Sequence, residues 1–198
     1  NHAILTNWWY DNMNDNSQNN KENHLVENTI ISIVNTMRQD IINSMLTIMK
    51  IKAVTPKPDY LEITNFLEEA YKGIGLEVKA VSASEEQLNR IGYSYPHPNI
   101  LGLLKGSVQR PMLEYFAHLD TVSPGDISLW KSDPFEPIIN KGKIFGLGAI
   151  DARCSLIAAF YAAKAIIDSG VTLKGNLLLL GVVDEEPVND NLNWPGTP

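Results

Sequence analysis

Three short clusters in the sequence hold the side chains that could do chemistry. The first is Phe116-Ala117-His118-Leu119-Asp120. Residues two apart on an extended strand share a face, so His118 and Asp120 point the same way, and the carboxylate can accept the imidazole's second N–H or sit behind it. Taken alone, a strand-end His hydrogen-bonded into a turn is the simpler account of such a pair. The second cluster is Gly146-Leu147-Gly148-Ala149-Ile150-Asp151. Its glycines let the backbone pass close to another group, and Asp151 stands at a helix start, where a carboxylate meets free N–H groups and the helix dipole. An N-cap Asp after a glycine turn explains this segment by itself, and the missing third glycine argues against a phosphate loop. The third cluster, Asp184-Glu185-Glu186, directly follows the most apolar run in the chain. Adjacent acids repel, so gathering them at the end of a buried strand calls for a cation or solvent to receive them. Together the clusters supply one His and several carboxylates without Cys. That donor set suits zinc or a similar divalent ion, with a carboxylate able to bridge two ions.

The elements that must position these clusters are read from periodicity. Leu25, Thr29, Ile30, Ile33, Val34, Met37, Ile41 and Ile42 recur at helical spacing, which predicts a helix from His24 to about Met49. Asp59 can cap a second helix with Tyr60, Ile63, Phe66, Leu67 and Ala70 on its buried face. Strands are expected at Leu76–Val81, Ile100–Leu104 and Met112–Ala117, with residues 82–98 as loop and 123–143 as a long irregular connection. A helix follows Asp151, with Leu156, Phe160, Ala163 and Ile167 on one face, and Leu177–Val183 reads as a central strand buried on both faces. Alternating helices and strands predict an α/β fold, a mixed, largely parallel sheet flanked by helices.

The chain has 198 residues, 44% of them apolar, and a net charge of -7. That composition excludes wholesale disorder and fibrous architecture. The acid excess argues against nucleic acid or an anionic membrane as partner, because counterion release needs clustered Lys and Arg. No run of about 18 apolar residues is present to span a membrane. A single cysteine, Cys154, cannot form an internal disulfide, so a reducing cytoplasm is the expected compartment. Residues 1–20 are Asn-rich and read as a tail or an added helix, residues 21–187 as the domain carrying the clusters, and residues 188–198 as an irregular end.

The ordered motifs resemble those of the M20 metallopeptidases. They are His118-Leu119-Asp120-Thr121-Val122, then Trp130 ahead of Asp133-Pro134-Phe135, then Gly142 to Asp151, then Asp184-Glu185-Glu186. That family includes acetylornithine deacetylase, succinyl-diaminopimelate desuccinylase, aminoacylase, carboxypeptidase G2 and related dipeptidases. The resemblance covers about residues 25–187 and implies a zinc-dependent hydrolase of N-acyl amino acids or small peptides. It implies two zinc ions per site, with cobalt as a substitute. His118 would bind one zinc, Asp151 would bridge the two and Glu186 would bind the other. Glu185 would be the general base and Asp120 the acid that orients His118.

Departures from the family pattern include Leu147 where Arg is usual between the glycines, and Arg153-Cys154 where Lys-Gly is usual. The family also places a further acidic ligand and a late His beyond the Glu pair, and adds a second domain that dimerises. After Glu186 this chain offers only Asp190 among acids and no His. With an initial Asn1 in place of Met, the expectation is a partial catalytic domain without the dimerisation domain, inactive by itself, from a full-length protein that forms a homodimer. The alternative is a truncated, catalytically inactive paralogue acting as a binding or regulatory module. A sugar- or nucleotide-binding α/β domain is the remaining reading, and it requires the three clusters to lie far apart.

Overall fold

The apolar stripe that begins at Leu25 forms two helices, α1 (Ser17–Thr36) and α2 (Arg38–Lys50), where the periodicity predicts one. At Met37 the N–H is shared between the carbonyls of Ile33 and Val34, a tightened turn that interrupts the helix without redirecting the chain. The computed structural model describes residues 17–55, 59–90, 92, 93 and 96–186, with side chains from residue 23. The Asn-rich tail, up to residue 16, and the C-terminal stretch with Asp190 lie outside the described residues. In α2 the residues Met45, Ile48 and Met49 are buried, whereas Leu25 and Ile31 of α1 are exposed, so only the later part of the predicted stripe reaches the core.

Asp59 caps α3 (Tyr60–Gly73) by accepting a hydrogen bond from the Leu61 N–H. The strand β1 (Glu77–Val81) follows. The stretch expected as loop then contains α4 (Glu85–Arg90), started by a reciprocal capping box: Ser84 Oγ accepts from Gln87 N–H, and Gln87 Oε1 accepts from Ser84 N–H. Next come β2 (Asn99–Leu104) and β3 (Met112–His118). The expected irregular connection contains a small antiparallel hairpin of β4 (Ile138–Asn140) and β5 (Lys143–Phe145). After it α5 (Arg153–Asp168) leads to β6 (Asn176–Val182).

The main sheet has the order β1-β2-β6-β3. Only β3 and β6 are parallel; β1 with β2 and β2 with β6 are antiparallel. The sheet is mixed, as expected, but two of its three strand pairs are antiparallel, so the expectation that it is largely parallel is corrected. The parallel pair is joined by a long crossover through the loops, the hairpin and α5, as parallel strands require. The chain from β1 to β2 carries one short helix and returns antiparallel.

Helices α3 and α5 lie side by side on the sheet, with Tyr71 stacked on Phe160, and Ile100, Ala117, Leu177 and Leu179 buried beneath them. Gly102 belongs to this face because a Cβ there would come within 2.6 Å of the Tyr71 ring. In β6, buried residues alternate with half-buried ones, so the strand is fully covered on one face and not on both as expected. At the sheet edge, β3 leaves Leu113 and Phe116 exposed on opposite faces. No described helix is long and apolar enough to cross a membrane.

Candidate metal centre

Parallel neighbours end at the same edge of a sheet, and that rule assembles the site. His118, the last residue of β3, stands in register with Val182 of β6, so the segment 184–186 emerges directly beside it. Beyond β3 the chain is pinned on both sides. Leu119 N–H donates to the Val182 carbonyl at 2.8 Å, and Thr121 N–H donates to the Ala53 carbonyl at 2.9 Å. Asp120 is held between these anchors and is fully buried.

His118 is buried up to its ring edge. Its Nδ1 lies 3.0 Å from the Asp120 backbone carbonyl, which can only accept, so Nδ1 carries the proton and Nε2 presents the other face of the ring to the cluster. Nε2 lies 2.8 Å from Asp151 Oδ1 and 3.7 Å from Glu185 Oε2. The Asp120 carboxylate sits behind the ring at 3.7 Å from Nδ1, too long for a hydrogen bond. Its oxygens instead accept from the backbone N–H groups of Glu186 at 2.8 Å and Glu185 at 3.5 Å. Asp120 thus ties the His segment to the Glu pair, a link invisible in the His-x-Asp spacing.

Asp151 does not cap α5. The N-cap position is Ala152, without a side-chain cap, and the Asp151 side chain is 77% exposed and turned to His118. The Asp151–Ala152 peptide is cis. Gly148, at φ +76°, holds the loop before it, and a Cβ there would lie 3.0 Å from Arg153 Cδ and 3.1 Å from Thr121 Cγ2. Replacing Gly148 with Ala adds both a left-handed backbone penalty of about 1–2 kcal/mol and this crowding. A lowered midpoint in thermal or urea unfolding is the expected result.

Arg153 is a residue whose place the sequence does not announce. Its guanidinium is fully buried, with one nitrogen donating to the Ile48 carbonyl at 2.6 Å in the last turn of α2. Burial lowers its pKa to about 10, opposed by the negative charges of Asp120 and Glu62. It fastens the start of α5, and with it Asp151, to the helix layer.

Charge in the cluster is unbalanced in favour of the acids. Burial lowers the His118 pKa, but the Asp120 carboxylate behind the ring, the hydrogen bond to Asp151 and the charge of Glu185 outweigh it and hold the imidazole at about 9. Burial raises the Glu186 pKa, as do the charges of Asp151, Glu185 and Asp120, while His118 opposes them. Donor atoms of His118, Glu185 and Glu186 all lie within 4.8 Å of one another. An imidazole with its tautomer fixed and carboxylates crowded around it form a donor set that fits a divalent cation. All five residues singled out from the sequence, His118, Asp120, Asp151, Glu185 and Glu186, meet at this one edge of the sheet.

Known proteins share both the motifs and the fold. Residues 115–194 match the model of peptidase family M20/M25/M40. An uncharacterised metallohydrolase of Methanocaldococcus jannaschii is 31% identical over 153 residues, which is 68% of this chain and 37% of that protein. The succinyl-diaminopimelate desuccinylase of Thioalkalivibrio sulfidiphilus is 35% identical over 106 residues, 51% of this chain and 28% of the enzyme. A Bacillus subtilis N-formyl-4-amino-5-aminomethyl-2-methylpyrimidine deformylase is 35% identical over 108 residues, 50% of this chain and 25% of that protein. Human carnosine dipeptidase 1 superposes with a TM-score of 0.69 at 19% identity, over 85% of this chain and 36% of the dipeptidase, which establishes a shared fold. The chain spans between a quarter and about two fifths of the length of these relatives. On its motifs, their order and these matches, the chain belongs to the M20/M25/M40 peptidase family.

Proposed function

We propose that the protein carrying this chain is a zinc-dependent amidohydrolase acting on N-acyl amino acids or small peptides. The reading is carried by the convergence of His118 Nε2 with Asp151, at 2.8 Å, and with carboxylate oxygens of Glu185 and Glu186. Two relatives are a desuccinylase and a deformylase, names that denote removal of an acyl group, which supports the reaction class. A bound divalent cation supplies a Lewis-acid contact for the amide carbonyl and a water of lowered pKa. His118 and Glu186 would hold cations, and Asp151 would bridge two of them. Asp120 fixes the backbone that carries the Glu pair and stands behind the imidazole. Glu185, 54% exposed and reaching toward His118 Nε2, is the carboxylate that takes a proton from the attacking water.

A zinc assay together with a hydrolysis screen tests the proposal, using N-acetyl, N-succinyl and dipeptide substrates with zinc and with cobalt. The protein carrying this chain at the length of its relatives should hold zinc and hydrolyse at least one substrate class. Hydrolysis that survives complete metal removal would overturn the proposal.

Metal uptake should depend on pH in a defined direction. The metal-free imidazole is protonated up to about 9, so a cation must displace a proton below that point. Zinc affinity should rise by at most about tenfold per pH unit between pH 6.5 and 9 through this group, then flatten. Chelator competition across that range measures it.

A further inference from the structure

Two separate elements converge on Asp184, the acid that precedes the Glu pair. Its side chain is 15% exposed and turned into the protein, away from the cation cluster. Tyr60, the first residue of α3, donates its hydroxyl to Asp184 Oδ1 at 2.9 Å and accepts from the Asp184 backbone N–H at 3.0 Å. His97, from the segment before β2 and 3% exposed, donates Nδ1–H to Asp184 Oδ2 at 2.5 Å. The His97 ring packs edge-on against Tyr60, with centroids 5.2 Å apart, and lies tilted over the Tyr93 ring at 4.2 Å. Asp184 itself sits at φ +60°, a left-handed conformation that a residue with a side chain keeps only when its surroundings fix it. On the other side of this residue, Asp120 accepts the N–H groups of Glu185 and Glu186.

We propose that Tyr60 and His97 are positioning residues that fix the direction of Glu185 and Glu186 by clamping both the backbone and the carboxylate of Asp184. The left-handed turn at Asp184 redirects the chain as it leaves β6, so the carboxylates that follow face His118. Tyr60 holds the turn from both sides, through N–H and carboxylate. His97 takes the second carboxylate oxygen, which stops Asp184 from swinging out to join the cluster as a competing acid. The effect on cation binding rests on the metal-centre reading above, whereas the effect on the turn does not.

Two measurements on the whole chain, with Tyr60→Phe, His97→Ala and His97→Gln, test the proposal. Without metal, amide exchange at Glu185 and Glu186 should accelerate at least tenfold in Tyr60→Phe and His97→Ala, while Leu179 in β6 keeps its protection. With Co2+ as probe, affinity should fall by about 10–100-fold and the visible absorption bands should shift, the size usual for loss of a partner that orients a ligand. His97→Gln, which restores a donor, should recover part of both effects. Unchanged exchange at Glu185 and Glu186 would overturn the proposal, as would equal loss of protection at Leu179, which would mark general loosening. If the parent chain bound no Co2+ even at saturating concentration, the metal-centre reading would fail, and the exchange result would still decide whether Tyr60 and His97 set the turn.

Discussion

Glu185→Gln is expected to lower amide hydrolysis by about 10²–10⁴-fold, the range usual for loss of a general base, while zinc affinity stays within a few-fold of the parent. The substitution keeps the shape of the side chain and removes only its ability to take a proton. Glu185 is more than half exposed, so little of the fold depends on it, and its backbone N–H remains available to Asp120. Its carboxylate nevertheless lies within the same cluster as His118 and Glu186. The paired measurement therefore decides between two roles. If turnover falls and zinc stays, Glu185 moves protons; if both fall together, Glu185 is a ligand and the base must be sought elsewhere. Steady-state hydrolysis in the full-length protein, beside chelator competition for zinc, gives both numbers.

The site was more legible in the sequence than the sheet that carries it. His118, Asp151 and the Glu pair stand at element ends, and a strand end or helix start limits where a side chain can go, so local patterns nearly suffice to bring them together. Strand direction is another matter. An apolar run such as 177–183 reads the same whether its neighbours are parallel or antiparallel, and only the length of the connections separates the cases. Asp151 illustrates a competition that sequence cannot resolve. A cap and a cation ligand use the same carboxylate at nearly the same position, and the outcome was decided by His118, contributed by a strand 33 residues away in the chain. Arg153 and His97 were unreadable for a related reason. A charged side chain in an apolar helix pattern and a His in a proline-rich loop look like surface residues until the packing encloses them.

His118→Ala should abolish zinc binding at this centre in practical terms, with a loss exceeding the roughly 100-fold typical of a mere orienting partner. Among the described residues, His118 supplies the cluster's nitrogen donor, and the other donors are carboxylate oxygens. An oxygen-only set favours hard cations such as Mg2+ or Ca2+ over zinc, so the variant should change the order of metal preference as well as weaken binding. The same substitution removes the positive charge that offsets Asp120, Asp151 and Glu185 in the metal-free protein. Its folded-state pKa is raised, so the stability contributed by this group is fully present below about pH 6.5 and disappears as pH rises through about 9. The parent should therefore be more resistant to urea than His118→Ala at pH 6, and the gap should narrow by pH 10, leaving only the packing lost with the buried ring. A variant that kept zinc, or that differed from the parent by the same amount at both pH values, would show that the imidazole is neither the metal's nitrogen ligand nor the counter-charge of the cluster.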